Sequence, residues 1–195
     1  MVGNLISERE SYRNEVENTL RQSTSGPQQL VGPLVAIPVT ETYFKAEEGK
    51  QVEYKKRYMH FILPESLQVN GNQHVESRSI GIYDGQIWNT ELKISARFTL
   101  DELDQLKGET MTLGKPFIVV GVGDARGIGV VSVSKINGET LSIEPGAGVY
   151  GTLSGIHMPL SDKALESKSF PLEMSLNLTG TGSFAVVPVG RNSAM

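Results

Sequence analysis

Two stretches of this chain restrict what it can fold into. In LKISARFTL, Leu92, Ile94, Ala96, Phe98 and Leu100 alternate with Lys93, Ser95, Arg97 and Thr99. In LEMSLNLTG, Leu172, Met174, Leu176 and Leu178 alternate with Glu173, Ser175, Asn177 and Thr179. A side-chain period of two belongs to a β-strand with one buried and one wet face. Ile94, Phe98, Leu172 and Leu176 are therefore expected to be buried.

The rest of the chain reads mostly the same way. LVGPLVAIPVTETYF carries Pro33 and Pro38, which fits an edge or irregular strand. EYKKRYMHFIL is a strand candidate that stops at Pro64, and FAVVPVG is a last strand before the polar tail RNSAM. Asn70 to Asn72, NGN, signals a turn, and Asn137-Gly138 signals a tight hairpin. Helix is expected in two places. At the N-terminus, Leu5, Tyr12, Val16 and Leu20 fall at near-helical spacing. Ser7 and Glu10 there suggest a capping box, and Gly26-Pro27 a stop. The stripe is narrow, so this helix leans on a surface. The second is DELDQLKG, with Asp101 as N-cap and Gly108 as stop. Many short strands with frequent turns point to an all-β, mainly antiparallel domain, sandwich or barrel-like, with a short N-terminal helix. No internal repeat or linker is visible.

Composition removes several function classes. The 195 residues, 38% hydrophobic and 21% charged, suffice for a buried core. A net charge of -4 argues against nucleic-acid binding, which needs surplus Lys and Arg. The only dense basic run, Lys55-Lys56-Arg57, reads as a solvated strand face. With no cysteine there are no disulfides, thiolate metal sites or thiol nucleophiles. No apolar run approaches the roughly 18 residues of a membrane span, and MVGNLISERESYR lacks a signal peptide's basic and apolar regions.

The most enzyme-like stretch is FIVVGVGDARGIGVVSVSKI, Phe117 to Ile136. A dinucleotide site needs a strand, then Gly-x-Gly-x-x-Gly, then a helix opening on the pyrophosphate. Here Gly121 and Gly123 are followed by Arg126 where the third glycine belongs, and GVVSVSKI has strand composition. No Gly-Lys-Ser/Thr ending makes a P-loop. The stretch reads as a turn or kinked junction between strands. Asp124 supplies turn chemistry, Gly127 permits a positive φ, and Asp124 can pair with Arg126.

Other chemistry is thin. His60, His74 and His157 have no metal-ligand spacing. Asp101, Glu102 and Asp104 read as the acidic start of a helix. Neither Ser132 nor Ser154 has a nucleophile elbow. No catalytic, cofactor-binding or metal-ligating residue is assigned, and no cofactor is expected.

Six longer strings carry a resemblance: RESYRNEVENTLRQSTSGPQQLVGPLVAIPVTE, HFILPESLQVNGNQ, IGIYDGQIWNTEL, TLGKPFIVVGVGDARGIGVV, SIEPGAGV and VVPVGRNSAM. Together, in order from about Ile6 to the end, they resemble the CreD family of bacterial inner-membrane proteins. The resemblance implies one N-terminal membrane helix, a large periplasmic domain and several C-terminal membrane helices. Residues 1-26 would then be a helix continuing outward from a membrane helix that precedes it. Residues 27-195 would be a periplasmic β domain that continues past Met195. The family is associated with cell-envelope integrity, a two-component signalling regulon and altered tolerance of β-lactams and colicins, with no catalytic residue set.

The resemblance implies a non-enzymatic protein of the bacterial inner membrane, with this part on the periplasmic side. Its partners would be the rest of the same membrane protein or another envelope component, with no nucleic acid and no nucleotide. A second reading is a sensor or carrier domain for a small envelope ligand, a cell-wall fragment or lipid, which needs a concave apolar pocket with a few polar groups. A third, a hydrolase, needs a nucleophile, base and oxyanion donors that the sequence does not show at recognisable spacing.

Overall fold

The computed structural model describes residues 2–81, 83–133, 136, 138–149 and 154–194. Two mainly antiparallel β-sheets face each other across one core. A helix, α1 (Val2–Ser23), lies against their margin. The first sheet is built on β1 (Gln28–Glu47), which pairs with β2 (Lys50–Ile62), β5 (Met111–Leu113), β6 (Phe117–Val122) and β11 (Phe184–Val187). Beyond β6 it continues to β9 (Ser154–Pro159) and β8 (Glu144–Pro145). The second contains β12 (Asn192–Ala194), β3 (Ser66–Ile80), β4 (Tyr83–Thr99), β10 (Ser169–Thr181) and β7 (Ile128–Val133), in that order. Only β1 with β11 and β3 with β12 run parallel among the described pairs.

The alternating stretches are β4 and β10, paired in register so that Phe170 opposes Phe98, Leu172 opposes Ala96 and Leu176 opposes Leu92. Ile94, Phe98, Leu172 and Leu176 are all buried, as the alternation requires. Side-chain sizes complement each other across three strands. Ala96 stands between Leu67 of β3 and Leu172, and Leu92 has Gly71 on one side. A Cβ on Gly71 would fall 2.7 Å from the Leu92 Cδ2. NGN is therefore not a turn. Asn70, Gly71 and Asn72 continue β3 opposite Lys93, Leu92 and Glu91, and the glycine makes room for a neighbour's leucine. Gly180 does the same for Trp88, whose Cζ2 would lie 2.4 Å from an added Cβ.

From the first sheet, Val35, Ile37 and Val39 of β1, Ile118, Val120 and Val122 of β6, and Ile156 and Met158 of β9 face this core. The intervening Ala36, Phe117 and Val119 are buried on the other face beneath Ala147 and Val149. Covered on both faces, β6 reads as the unbroken apolar run FIVV rather than as an alternation.

Several expectations need correction. Of the two alternatives its prolines offered, β1 takes the irregular one, and it is interior, not an edge. Its ladder with β6 shifts register between Val31 and Leu34, the site of Pro33. The Pro38 carbonyl accepts from the Gly114 N–H (2.7 Å), between β5 and β6. A strand residue aims its N and C=O to the same side, so the missing N–H of Pro38 faces a gap in the ladder. Ser7 lies inside α1 and caps nothing, because the helix already runs from Val2. The helix does stop at Ser23, just ahead of Gly26-Pro27. Tyr12 is exposed, and only Val16 and Leu20 of the expected stripe are buried; the Leu5 side chain lies outside the described residues. Asp101 precedes α2 (Glu102–Gln105) in helical geometry and makes no capping bond. Helix is not confined to these two segments: α3 (Asp162–Glu166) forms behind Ser161, whose hydroxyl accepts from the Ala164 N–H. The polar tail is not all tail, since Asn192–Ala194 add to the edge of β3. In the Asn137-Gly138 hairpin, Asn137 lies outside the described residues. Gly138 has φ +82°, and Ile136 and Glu139 exchange both backbone hydrogen bonds around it.

Phe98 is fully buried against Phe170, with ring centroids 5.4 Å apart. Phe98→Ala is expected to cost about 3–5 kcal/mol in denaturant melts, the usual penalty for emptying a packed aromatic site. A loss under about 1 kcal/mol would refute this core assignment.

Candidate functional site

The glycine-rich stretch carries the chain from one sheet to the other. β6 ends at Val122, Ala125–Gly127 form a single 3₁₀ turn, and β7 follows at once in the opposite sheet. No helix opens here, and the turn's own groups fill it. The Asp124 carboxylate accepts from the Arg126 backbone N–H (3.0 Å) and from the Gly26 N–H (3.1 Å). Its ion pair with the Arg126 guanidinium closes at 2.6 Å, as the sequence suggested.

Gln28 is the residue that sequence reading missed. Its side chain is 2% exposed. The amide Nε2 donates to the carbonyls of Asp124 (2.9 Å) and Thr179 (3.2 Å), and Oε1 accepts from the Asp124 N–H (3.0 Å). Ser25 donates to the same Thr179 carbonyl, and Thr181 donates to the Ser25 carbonyl. Gly127 is sensitive for a different reason from the one expected. Its φ is not positive; an added Cβ would lie 2.2 Å from the Thr179 carbonyl and 2.4 Å from the Gln28 Nε2. The guanidinium of Arg126 reaches across to the end of α1, donating to the carbonyls of Arg21 (3.1 Å) and Gln22 (3.0 Å). A cation on the last carbonyls of a helix both satisfies them and opposes the helix dipole.

The titratable residues singled out in the sequence sit in separate small clusters. His60 lies 3.3 Å from Glu102, which also pairs with Arg191 at 2.8 Å. Asp104 is held at about pKa 2 by hydrogen bonds from Lys107 and Lys168. His157 places Nδ1 2.7 Å from the Gly146 carbonyl and Nε2 3.1 Å from Glu144, holding the covering segment on β6. His74 stands in β3 opposite Asn89. The Ser132 hydroxyl bonds the Ser175 hydroxyl, and Ser154 opposes Val122. Among the described residues no group of three His, Asp or Glu could hold a metal. Lys55, Lys56 and Arg57 lie exposed on β2.

A groove of about 870 Å³ lies between α1 and the β3–β4 hairpin. Arg9, Arg13 and Arg21 line its helix side, and Val75 and Trp88 its sheet side. α1 touches the sheet through Val16 and Leu20, which pack on Ile87 of β4. An added Cβ on Gly85 would sit 2.0 Å from the Leu20 Cδ1, so the helix rests where β4 has no side chain.

Two measurements check the junction. The Arg126 guanidinium, aided by the Gly26 and Arg126 N–H groups and opposed by burial, lowers the Asp124 pKa from 3.8 to about 2. A lowered folded-state pKa stabilises the fold above the unfolded value and loses that contribution as pH falls through the folded one. Melts of the native protein should therefore lose stability between about pH 4 and pH 2. Asp124→Asn should be less stable by about 2 kcal/mol at pH 7 and should lack that part of the acid dependence. Gly127→Ala should cost about 1–3 kcal/mol through overpacking alone, with no change in acid dependence.

The whole chain, residues 1–195, matches the family described as inner membrane protein CreD. It is 54% identical over 195 residues to the inner membrane protein CreD of Escherichia coli (strain K12), covering 100% of this chain and 43% of that relative. No solved structure matches. No described helix is long and apolar enough to cross a membrane. On the match along its full length, the chain belongs to the CreD family of inner membrane proteins.

Proposed function

We propose that this chain forms the periplasmic β domain of an inner-membrane protein and contributes, without enzymatic activity, to cell-envelope integrity and tolerance of envelope stress. The observation that carries this reading is the 54% identity, over 195 residues, to an inner membrane protein. The placing of α1 supports it: residues 6–15 are exposed, and the helix is anchored near its end through Val16, Leu20 and the carbonyls of Arg21 and Gln22. Such a helix suits a connection between a membrane segment and the folded body. The separate, mutually saturated ion pairs support a non-enzymatic role, because an acid–base site needs titratable groups converging on a reacting atom. Its partners are then the remainder of the same protein and other envelope components.

A second reading, a sensor or carrier of a small envelope ligand, is favoured by the groove beneath α1, whose volume lies within the range of small-molecule sites.

The test is complementation. A strain lacking the full-length protein should show raised uptake of a hydrophobic dye and lowered β-lactam tolerance. The native protein should restore both, and a full-length Phe98→Asp protein, its β domain unfolded, should restore neither. Protease added to spheroplasts should cut within residues 27–195. Full rescue by Phe98→Asp, or protection from external protease, would overturn the proposal.

A further inference from the structure

The first sheet has an open edge along β2. That strand pairs with β1 over its whole length, and among the described residues its other edge meets no strand. The bonds of β1 show which groups stand there. The Pro38 carbonyl and the Thr42 N–H both bond on the side of β5, to Gly114 and Thr110. A strand residue aims its N–H and C=O to one side and its neighbours aim theirs to the other, so Ile37, Val39 and Glu41 face β2. Their partners in the unbroken register are His60, Tyr58 and Lys56. Tyr58 and His60 therefore direct their backbone groups to β1. Arg57, Met59 and Phe61 hold theirs out to the open edge.

The end of this edge is apolar on both faces. Tyr58 and Ile62 pack into the core between the sheets, and Met59 packs with the buried cluster on the outer face. Phe61 lies opposite Ala36 of that cluster and is 41% exposed, and Leu63 just beyond is 42% exposed. The edge of β3 differs: past its short pairing with β12 it runs through polar residues, Asn70 to Ser79, broken by Gly71 and Val75. An open edge that presents apolar side chains is a template for another strand.

Charge selects the strand. Lys55, Lys56 and Arg57 stand beside the apolar segment, and their one ion pair among the described residues is Lys55 with Glu53 (3.1 Å). Two copies of β2 can pair antiparallel about a two-fold axis. An axis within the basic run sets cations opposite cations, which is destabilising. An axis at His60 sets Tyr58 against the second copy's Ile62 on the core face and Met59 against its Phe61 on the outer face. Met59 and Phe61 then exchange backbone bonds with the copy, using the groups that face the open edge. The two Arg57 residues stand about 20 Å apart along the ladder, at about 3.3 Å per residue, which is beyond the reach of screened charges.

We propose that this chain forms a two-fold dimer in which residues 58–62 of β2 pair antiparallel with the same residues of a second copy, joining two first sheets into one. The inference rests on neither the envelope role nor the groove beneath α1.

Sedimentation of the 195-residue chain between about 1 and 100 μM should show a monomer giving way to a dimer and to nothing larger. Met59→Pro removes an N–H that faces the open edge and leaves the β1 ladder whole. Phe61→Lys puts a cation on an exposed apolar site. Each should weaken the dimer about tenfold or more while keeping the native circular dichroism. Val130→Lys, at a 72% exposed position on β7, should leave it unchanged. Register is read by cross-linking, because the chain has no cysteine of its own. Under mild oxidation His60→Cys, opposite itself across the axis, should give a disulfide-linked dimer, and Val52→Cys, on the same strand, should not. A chain that stays monomeric at the highest concentration, dimers untouched by Phe61→Lys, or equal cross-linking at both positions would overturn the proposal. So would open-ended growth beyond the dimer, which a closed two-fold contact forbids.

Discussion

The Gln28 side chain and the Asp124 backbone exchange two hydrogen bonds, and much of the molecule is arranged around that exchange. Four elements meet at this point. β1 begins at Gln28, the chain crosses between sheets at Asp124, β10 offers the Thr179 carbonyl, and α1 ends at the guanidinium of Arg126. A buried amide left unpaired costs about 1–3 kcal/mol. Here the side chain is satisfied by bonding backbone as another strand would. The exchange also explains why the junction is so short. With Gln28, Ser25 and the Thr179 carbonyl pressed against it, Gly127 is the position of the turn where an added Cβ would clash.

What the sequence revealed, and what it hid, divides along a physical line. Wherever one face of a strand is buried and the other wet, burial writes a period of two into the residues, and β4 and β10 were readable for that reason. Local chemistry was readable too: Gly138 takes the positive φ of its hairpin, and Asp124 pairs with Arg126 two residues away. Long-range context was not readable. Gly71 carries the letters of a turn, yet it is a strand residue whose emptiness is set by Leu92 on the neighbouring strand. The prolines of β1 fit an edge or an irregular strand, and only the neighbours decide: the strand is interior, and the ladder accommodates them with a register shift and a gap. Asp101 precedes its helix but leaves the capping bond unmade.

The candidate site was less legible than the fold. The hub could be half-read, because Asp124 and Arg126 are neighbours. Gln28 lies 96 residues from Asp124, and an isolated glutamine announces nothing about burial. The groove is harder still. Arg9 and Arg13 look like ordinary solvated charges on a weakly amphipathic helix. Their place beside the hairpin depends on where Val16 and Leu20 dock, on Ile87 of a strand far away in sequence.

The helix closes the argument about how the parts depend on one another. At 22 residues it is about 33 Å long, but among its described side chains the buried apolar ones are Val16 and Leu20, near its end. Helices gain most of their stability from packing an apolar face, so this one is held chiefly at its C-terminal end. The holding groups there are specific: two aliphatic side chains on Ile87 and two carbonyls on the guanidinium of Arg126. Arg126 lies on the single connection from β6 to β7, which belong to opposite sheets. A displacement of α1 therefore acts first on a turn that both sheets share. It acts next on the groove, one wall of which is the helix itself. The same anchorage that lets a long, mostly exposed helix exist ties its position to both the sandwich and the cationic cleft beside it.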